Sequence, residues 1–171
     1  MKKLTQNMLR ELFDYRIDGN LVRLKSGMGP NNKAGDLVGD LNKKKLGSRN
    51  ARYVTTRING QHYCVHKLIY MWHTGVMPDE LDHINRDTLD NRIENLRVAN
   101  KSQNACNRTV FANNTSGVKG VSWNARNKKW FVYVDVNKKR NNIGYFDDID
   151  LAELVAIEAR EKLHGVYANH V

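Results

Sequence analysis

Four polar side chains within about two dozen residues could together cleave a phosphodiester. Asp82 and His83 are adjacent, and Asn95 follows His83 by twelve positions. Asn104 lies nine positions further on. An imidazole can take a proton from water, while a neighbouring carboxylate holds a hard cation that neutralises charge on the phosphate. The spacing therefore predicts metal-assisted hydrolysis of a phosphodiester.

A strand, a polar loop, a second strand and a helix would have to position these groups. The first strand is predicted at residues 80–83 and the second at 92–99, with the loop between them. Asn100 is a predicted N-cap for a helix that continues through Arg108. Asn104 and Arg108 are four apart on that helix and would share a face. If Asn104 contacts a metal ion, Arg108 is placed to meet a phosphate.

The segment before this motif is predicted to be rich in short strands. Asn59 followed by Gly60 is the strongest hairpin signal in the chain. A lysine run at residues 43–45 is predicted to lie in a loop and to contact phosphate, with a solvated loop as the alternative. Four strands are predicted, at residues 13–17, 21–24, 53–58 and 63–65, and one helix is predicted at residues 66–72.

The last sixty residues are predicted to form three strands and one helix in two layers. The strands are expected at residues 118–123, 130–136 and 141–146, and the helix at 150–163. One side of the middle strand would be apolar, whereas the other would expose Phe131 and Tyr133 among cations, an arrangement that suits a DNA groove or backbone. The predicted packing stripe of the helix consists of Leu151, Leu154, Val155, Ala159 and Leu163.

The charge of the chain indicates a polyanionic partner. Its 171 residues carry 28 Lys and Arg against 18 Asp and Glu, a net charge of +10. Such an excess is typical of nucleic-acid binding, with an anionic membrane as the alternative. Residues 71–111 hold 5 basic and 6 acidic residues and lie between two positive flanks. Cationic flanks around a nearly neutral centre suit a nuclease that binds the backbone and holds a metal.

The sequence also excludes several classes of protein. No run of 18 apolar residues and no apolar signal core occurs, so a cytoplasmic protein that is neither exported nor membrane-bound is expected. Cys64 and Cys106 form no Cys-x-x-Cys pair, which argues against structural zinc and a disulfide framework. The predicted fold class is α+β, in three parts: a basic strand-rich module at 1–74, the motif at 75–111 and the strand-and-helix unit at 112–171.

Residues 65–108 resemble the HNH, or ββα-metal, endonucleases of phages and mobile introns. The resemblance lies in the Asp-His…Asn-Leu…Gln-Asn pattern. It implies that His83 is the general base, that Asp82 and Asn104 bind the metal, and that Asn95 holds the loop and orients or polarises His83. Asn91 is expected to shape the loop instead of taking part in the chemistry.

That family implies a homing-type phosphodiester hydrolase that acts on double-stranded DNA. The resemblance implies one divalent ion, Mg²⁺ or Mn²⁺, with a 5′-phosphate and a 3′-hydroxyl as products. A carboxamide ligand in place of a second imidazole fits such an oxygen-loving ion better than Zn²⁺. One centre per chain predicts a monomer that makes one nick per binding event.

Residues 116–170 resemble the Apetala-type DNA-binding domain of plant ethylene-response factors. The similarity runs through Ser116-Gly117-Val118-Lys119-Gly120-Val121, Ile143-Gly144-Tyr145-Phe146 and the helix ending at Leu163-His164-Gly165. The base-reading arginines and tryptophan of the plant domains are mostly replaced, so the resemblance supports the fold more than any target sequence. The residues expected to bind DNA are Arg108, Lys119, Ser122, Asn124, Lys128, Lys129, Phe131, Tyr133, Arg140 and Asn142.

Three other functions are compatible with parts of this sequence. A DNA-binding regulator that retains the nuclease frame without cleaving would show salt-sensitive binding and no metal-dependent product. A nucleoid or packaging protein would not need the set of Asp82, His83, Asn95 and Asn104. An RNA substrate is less favoured, because no motif for stacking single-stranded bases stands out.

Overall fold

The computed structural model describes residues 3–27, 32–39, 53–110 and 113–170. Within these residues the chain folds into mixed helices and strands with small antiparallel sheets, which confirms the α+β expectation. It divides into two compact units, Met1–Val98 and Ala99–Val171. The three-part division stays a prediction, and the lysine run at residues 43–45 lies outside the described residues. No helix in the described ranges is both long and apolar enough to cross a membrane.

The first unit begins with a helix that the sequence pattern did not reveal. Thr5 caps it by accepting a hydrogen bond from the backbone N–H of Met8 at 3.3 Å. Seven residues are too few to show a clear helical period, so this helix depends on its cap and on tertiary packing. This helix is α1 (Gln6–Leu12), and it is followed by β1 (Phe13–Arg16), β2 (Asn20–Arg23), β3 (Thr55–Ile58), β4 (Gln61–Cys64) and α2 (Val65–Thr74).

Two antiparallel hairpins confirm the turn signals of the sequence. Asn59 and Gly60 join β3 to β4, with φ angles of 49° and 82°. Positive φ at both central residues is what a two-residue hairpin turn of the favoured hand requires. Gly19, with a φ of 85°, turns the chain between β1 and β2.

The strands that carry the candidate chemistry form a third hairpin. β5 (Leu81–His83) pairs antiparallel with β6 (Leu96–Val98), so that Asp82 is directly opposite Arg97. β6 is shorter than the predicted strand at 92–99, because residues Ile93–Asn95 form a 3₁₀ turn instead. The backbone N–H of Asn95 bonds to the carbonyl of Arg92 at 2.9 Å and closes that turn.

One apolar core unites this hairpin with the preceding elements. Leu96 of β6 belongs to the same buried cluster as Leu68 and Ile69 of α2 and Leu9 of α1. Burial of large aliphatic side chains is worth about 1.5–3 kcal/mol each, so this cluster supplies much of the stability of the first unit. The strands bearing Asp82 and His83 are therefore anchored to the N-terminal helices and hairpins.

The second unit contains α3 (Lys101–Cys106), β7 (Val121–Asn124), β8 (Lys129–Val136), β9 (Lys139–Phe146) and α4 (Ile149–His164). The three strands pair in the order β7–β8–β9, and α4 packs on one face of the sheet. This confirms the predicted three-stranded sheet with one helix. The turn between β8 and β9 is tight, with φ angles of 50° at Asn137 and 66° at Lys138.

The structure corrects the predicted extent of α3. Asn100 is its N-cap, as predicted, and exchanges hydrogen bonds with Gln103 in a capping box. The helix ends at Cys106, however, so the prediction that Asn104 and Arg108 share a helical face is wrong. Side chains from elsewhere in the unit take the carbonyls at this end: Lys119 bonds to those of Cys106 and Arg108, and Asn169 to those of Asn107 and Arg108.

The predicted packing stripe of α4 is wrong at its leucines, whereas Val155 packs against the core of the second unit. Leu154 is 65% exposed, and Leu151 and Leu163 are likewise exposed. The buried row is instead Ala152, Ala156 and Arg160, one residue out of register with the prediction. Alanines allow the helix to lie close against Val121 and Val132 of the sheet, and larger aliphatic residues at those positions would hold it away.

Candidate active site

β5 holds Asp82 and His83 in two different buried environments. The two side chains are 5% and 4% exposed respectively. Successive residues of a strand point to opposite faces, so each of these groups meets its own set of neighbours. Asp82 faces its cross-strand partner Arg97, whereas His83 contacts the loop that joins β5 to β6.

The imidazole of His83 is held by a carboxamide from that loop. Its Nε2 lies 3.0 Å from Oδ1 of Asn91, which is itself 3% exposed. With Oδ1 as the acceptor, Nε2 carries the proton of the neutral ring and Nδ1 is the basic nitrogen. The rings of His66 and Tyr53 pack against the imidazole at centroid distances of 5.2 and 6.1 Å. These contacts fix the orientation of the ring.

The carboxamide of Asn95 bonds within the loop. Its Oδ1 accepts from the backbone N–H of Asn85 at 3.0 Å, and its Nδ2 donates to Oδ1 of Asn85 at 2.9 Å and to the carbonyl of Asp90 at 2.7 Å. Three hydrogen bonds from one buried side chain close the loop on both sides. This geometry is what the predicted loop-holding part of its role requires. The predicted effect of Asn95 on His83 stays a prediction, and Asn91 is the residue that bonds to the imidazole.

The N-terminal hairpin supports the same loop from outside. The hydroxyl of Tyr15 accepts a hydrogen bond from the backbone N–H of Ile93 at 3.2 Å. A Cβ added to Gly19 would lie 2.5 Å from the backbone N of Arg92 and 2.8 Å from the carbonyl carbon of Asn91. The turn between β1 and β2 therefore lies directly against the residue that orients His83, a contact that no local sequence signal indicates.

The carboxylate of Asp82 forms a partly buried ion pair. Nε and Nη2 of Arg97 donate to its Oδ2 at 2.9 and 2.6 Å. The side chain of Arg97 is only 17% exposed. Sequence analysis did not single out Arg97. The predicted hairpin could have identified it, since the residue opposite an aspartate on a paired strand is its nearest cross-strand neighbour.

His66 is the second imidazole of this region and is uncharged at neutral pH. Burial, together with the smaller effects of His83 and Lys67 in the same direction, lowers the pKa of His66 to about 3. A ring with such a pKa packs as a neutral aromatic group. It therefore packs beside His83 as an uncharged ring.

The carboxylate of Asp82 is an oxygen donor of the kind that a hard divalent cation prefers. Within the described ranges, no group of three or more His, Cys, Asp or Glu side chains is arranged to hold a metal ion. Mg²⁺ typically takes one or two carboxylates and completes its shell with water and phosphate oxygens. Asp82 provides such a carboxylate, while its pairing with Arg97 means that a cation would share or replace that partner.

The remaining predicted nuclease residues belong to the second unit. Asn104 lies on α3, where its backbone N–H bonds to the carbonyl of Asn100 at 2.9 Å. Arg108 follows the end of that helix. Asp82, His83 and Asn95 all belong to the first unit, with Asp82 and His83 on opposite faces of β5. The predicted ligand pair of Asp82 and Asn104 stays a prediction.

The free face of the C-terminal sheet gathers most of the residues predicted to contact DNA. Cross-strand partners project on the same side, and the pairs across this face include Ser122 with Phe131 and Asn142 with Tyr133. The ring of Phe131 lies 5.7 Å from that of Tyr133 and 4.9 Å from that of Tyr145, which sequence analysis missed. The predicted residues on this face are Ser122, Asn124, Lys129, Phe131, Tyr133, Arg140 and Asn142.

The basic side chains on and around this sheet differ in the groups that they contact. The guanidinium of Arg140 stacks 3.8 Å from the ring centroid of Tyr133 and pairs with Asp135 at 3.0 Å. Lys129 pairs with Asp147 at 2.9 Å, while Lys128 lies in the turn between β7 and β8 with a φ of 52°. Lys119, predicted to bind DNA, directs its ammonium group to the backbone carbonyls at the end of α3.

Two comparisons with known proteins found matches to this chain. The sequence profile of a family described as HNH endonuclease matches residues 63–106. Protein 3.8 of Escherichia phage T7 is 37% identical to the chain over 90 residues, which make up 52% of this chain and 72% of the phage protein. No solved structure matches the chain significantly. The profile ends before the C-terminal sheet, so its Apetala-type resemblance stays a prediction.

Proposed function

We propose that this chain is a divalent-metal-dependent DNA endonuclease. It belongs to the same family as Protein 3.8 of Escherichia phage T7 and carries an HNH endonuclease domain over residues 63–106. The observation that carries the proposal is the buried His83, oriented by Asn91 at 3.0 Å and next to the buried Asp82 along β5. A polar pair that is this well buried is costly to the fold unless it has a function or a full set of partners.

In the proposed reaction, His83 acts as the general base. Asn91 accepts the Nε2–H hydrogen bond, so Nδ1 keeps a lone pair for a proton of the attacking water. The neutral rings of His66 and Tyr53 hold the imidazole in place, so that little reorganisation is needed when the proton moves. Asn95 keeps the loop closed, and with it the position of Asn91.

Asp82 and Asn104 are the proposed protein ligands of one Mg²⁺ or Mn²⁺ ion. Such an ion, when bound, supplies positive charge that stabilises the phosphate and the leaving 3′-oxygen. Arg108 is proposed to contact a phosphate near the cut. The products would be a 5′-phosphate and a 3′-hydroxyl.

The C-terminal sheet is proposed to bind the substrate duplex. Its aromatic rings and the stacked guanidinium of Arg140 place apolar and cationic groups together on one face. Sheets of this kind can enter a DNA groove, and cations beside them contact the backbone. The net charge of +10 would add a salt-dependent attraction that is independent of sequence.

Cleavage of supercoiled plasmid by the purified protein in Mg²⁺ or Mn²⁺ tests this proposal directly. We expect open-circle product from the wild type, none from His83→Ala, and retained DNA binding by both in a gel-shift assay. His62→Ala is the matched control, since His62 lies on β4 of the same unit and is exposed, with Arg57 as its partner. Equal cleavage by His83→Ala would overturn the assignment of the base. Binding without any metal-dependent product would instead identify a DNA-binding regulator.

Two finer parts of the proposal need their own substrates. Homing-type action predicts cleavage at one or a few sites in genomic DNA that lacks the gene for this protein. Scattered cleavage of such DNA would point to a non-specific nuclease. A monomer with one centre predicts open circles before linear product, whereas linear product from the first turnover would require two cooperating centres.

A further inference from the structure

The ion pair between Asp82 and Arg97 occupies the place where the proposed function requires a cation. Two N–H groups of Arg97 donate to a single oxygen, Oδ2, at 2.9 and 2.6 Å. The two residues are direct partners in the register of β5 and β6, so the contact is built into the hairpin. It differs from the exposed ion pairs of the same unit, such as that of Arg16 with Asp18, in which the side chains are 58% and 44% exposed.

Burial explains why the carboxylate needs such a partner before any metal binds. An ionised carboxylate that is 5% exposed has lost most of its contact with water. Without a compensating positive charge it would strongly destabilise the fold. A planar guanidinium on the facing strand meets this need, because its N–H groups form charge-assisted hydrogen bonds with the oxygen.

The geometry points to Arg97 as a competitor of the divalent cation for the carboxylate of Asp82. This competition weakens metal binding in the free protein. This inference rests on the proposed function, because it assumes that Asp82 is a metal ligand. A divalent ion on the same carboxylate would lie within a few ångströms of the guanidinium, and like charges at that distance repel strongly in a partly buried site. Arg97 would have to move away or share the carboxylate for the ion to bind.

The same arrangement gives the nucleic acid a role in loading the metal. A phosphate that enters the site brings negative charge, which offsets the repulsion between the ion and Arg97. The released guanidinium can then pair with that phosphate, since Arg forms the same fork of hydrogen bonds with phosphate as with carboxylate. Metal and substrate are therefore expected to bind cooperatively, through the reciprocity of linked equilibria.

The inference is tested by titrating the DNA-free protein with Mn²⁺ while electron paramagnetic resonance measures the concentration of the free ion. We expect Arg97→Gln to bind Mn²⁺ about tenfold more tightly than the wild type, because the competing charge is gone. Arg97→Lys keeps that charge and should remain within about twofold of the wild type. Arg16→Gln is the control that removes the same charge from an exposed pair of the same unit, and it should leave Mn²⁺ affinity unchanged.

Asp82→Asn separates failure of the inference from failure of the proposed function. If Asp82→Asn loses Mn²⁺ binding while Arg97→Gln binds no more tightly than the wild type, Arg97 is not a competitor and the nuclease proposal stands. If Asp82→Asn binds as the wild type does, Asp82 is not a metal ligand and both proposals lose their metal site.

A measurement on the wild type covers the case in which Arg97→Gln does not fold. The Nε–H signal of Arg97 in ¹⁵N nuclear magnetic resonance reports its hydrogen bond to Asp82. We expect its exchange with solvent to be slow without metal and to accelerate as Mg²⁺ saturates the protein. An Arg97 signal that is unchanged at saturating Mg²⁺ would overturn the inference.

Discussion

Nε2 of His83 lies 3.0 Å from the carboxamide oxygen of Asn91, and both side chains are buried. The bond joins the last residue of β5 to the loop that follows it, across eight positions in the sequence. It leaves Nδ1 as the basic nitrogen of the neutral ring. The structure thus identifies a partner of the candidate base that differs from the one expected from the sequence.

Replacement of Asn91 should lower the rate of cleavage with little effect on DNA binding. We expect Asn91→Leu to reduce kcat by about 10- to 100-fold, the range observed when a metal-ligating imidazole loses the partner that orients it. Asn91→Asp retains an acceptor for the Nε2–H and should keep more activity than Asn91→Leu. Single-turnover rates at saturating protein, with gel-shift affinities beside them, check this. Equal rates for the two variants would show that the hydrogen bond has no part in the reaction.

Gly19 and Gly60 form a matched pair for testing whether the N-terminal hairpin supports the catalytic loop. Both are turn glycines with nearly the same positive φ, 85° and 82°. A Cβ on Gly60 would meet nothing within 4 Å, whereas one on Gly19 would collide with the backbone of Asn91 and Arg92. Gly60→Ala should therefore cost about 1 kcal/mol of unfolding free energy, the strain of the left-handed conformation alone. Gly19→Ala should cost about 3 kcal/mol, because the backbone must also shift.

Denaturant unfolding and cleavage assays together decide the outcome of that comparison. Gly19→Ala is expected to lose activity even at temperatures where it remains folded, because the displaced backbone carries Asn91 away from His83. Gly60→Ala should retain wild-type cleavage. The same loss of stability in both variants would mean that the contact between the hairpin and the loop contributes nothing.

The sequence predicted the hairpins and the C-terminal unit because these depend on local signals. Asn59-Gly60 specified its turn, and the alternation of Phe131 and Tyr133 with valines specified the two faces of β8. The register of α4 was missed because apolar periodicity favours the leucines, while the close approach of the sheet selects Ala152 and Ala156.

The same distinction between local signals and tertiary structure applies to the residues of the candidate site. Asp82 and His83 could be identified from neighbouring residues and spacing, since both lie on one short strand. The contacts of Asn91 and Arg97 depend on how a loop folds back and on which residues pair across the strands, and these are properties of the tertiary structure. Nothing local distinguishes Asn91 from other polar loop residues, so the sequence predicts only a structural role for it.

The buried His66 should make the stability of the protein depend on pH. Burial lowers its pKa in the folded protein to about 3, from an ordinary value of 6.5. Between these values the unfolded chain binds a proton that the folded chain does not, so the free energy of unfolding falls as the pH decreases from 6.5 towards 3. At pH 4.5 the loss from this residue is about 2–3 kcal/mol.

Urea unfolding at pH 7.0 and pH 4.5 measures this contribution. His66→Gln removes the titrating group and should be less stable than the wild type at pH 7.0, yet lose less stability on acidification. His62→Gln, at an exposed position, should retain the full pH dependence of the wild type. An identical change with pH in all three proteins would assign the acid sensitivity to other groups.

Arg140 and Lys162 allow the proposed DNA-binding face to be distinguished from net charge. Each cation pairs with an acid, Asp135 at 3.0 Å and Glu158 at 2.6 Å, and each replacement by Gln removes one positive charge. Arg140 stacks on Tyr133 on the free face of the sheet, whereas Lys162 lies on α4, which packs against the opposite face. Arg140→Gln should weaken duplex binding about tenfold and reduce the slope of log affinity against log salt by about one. Lys162→Gln should change affinity by less than about twofold under the same conditions. If the two variants lose affinity equally, the attraction to DNA comes from the overall charge of the chain, and the aromatic face of the sheet is not the contact surface.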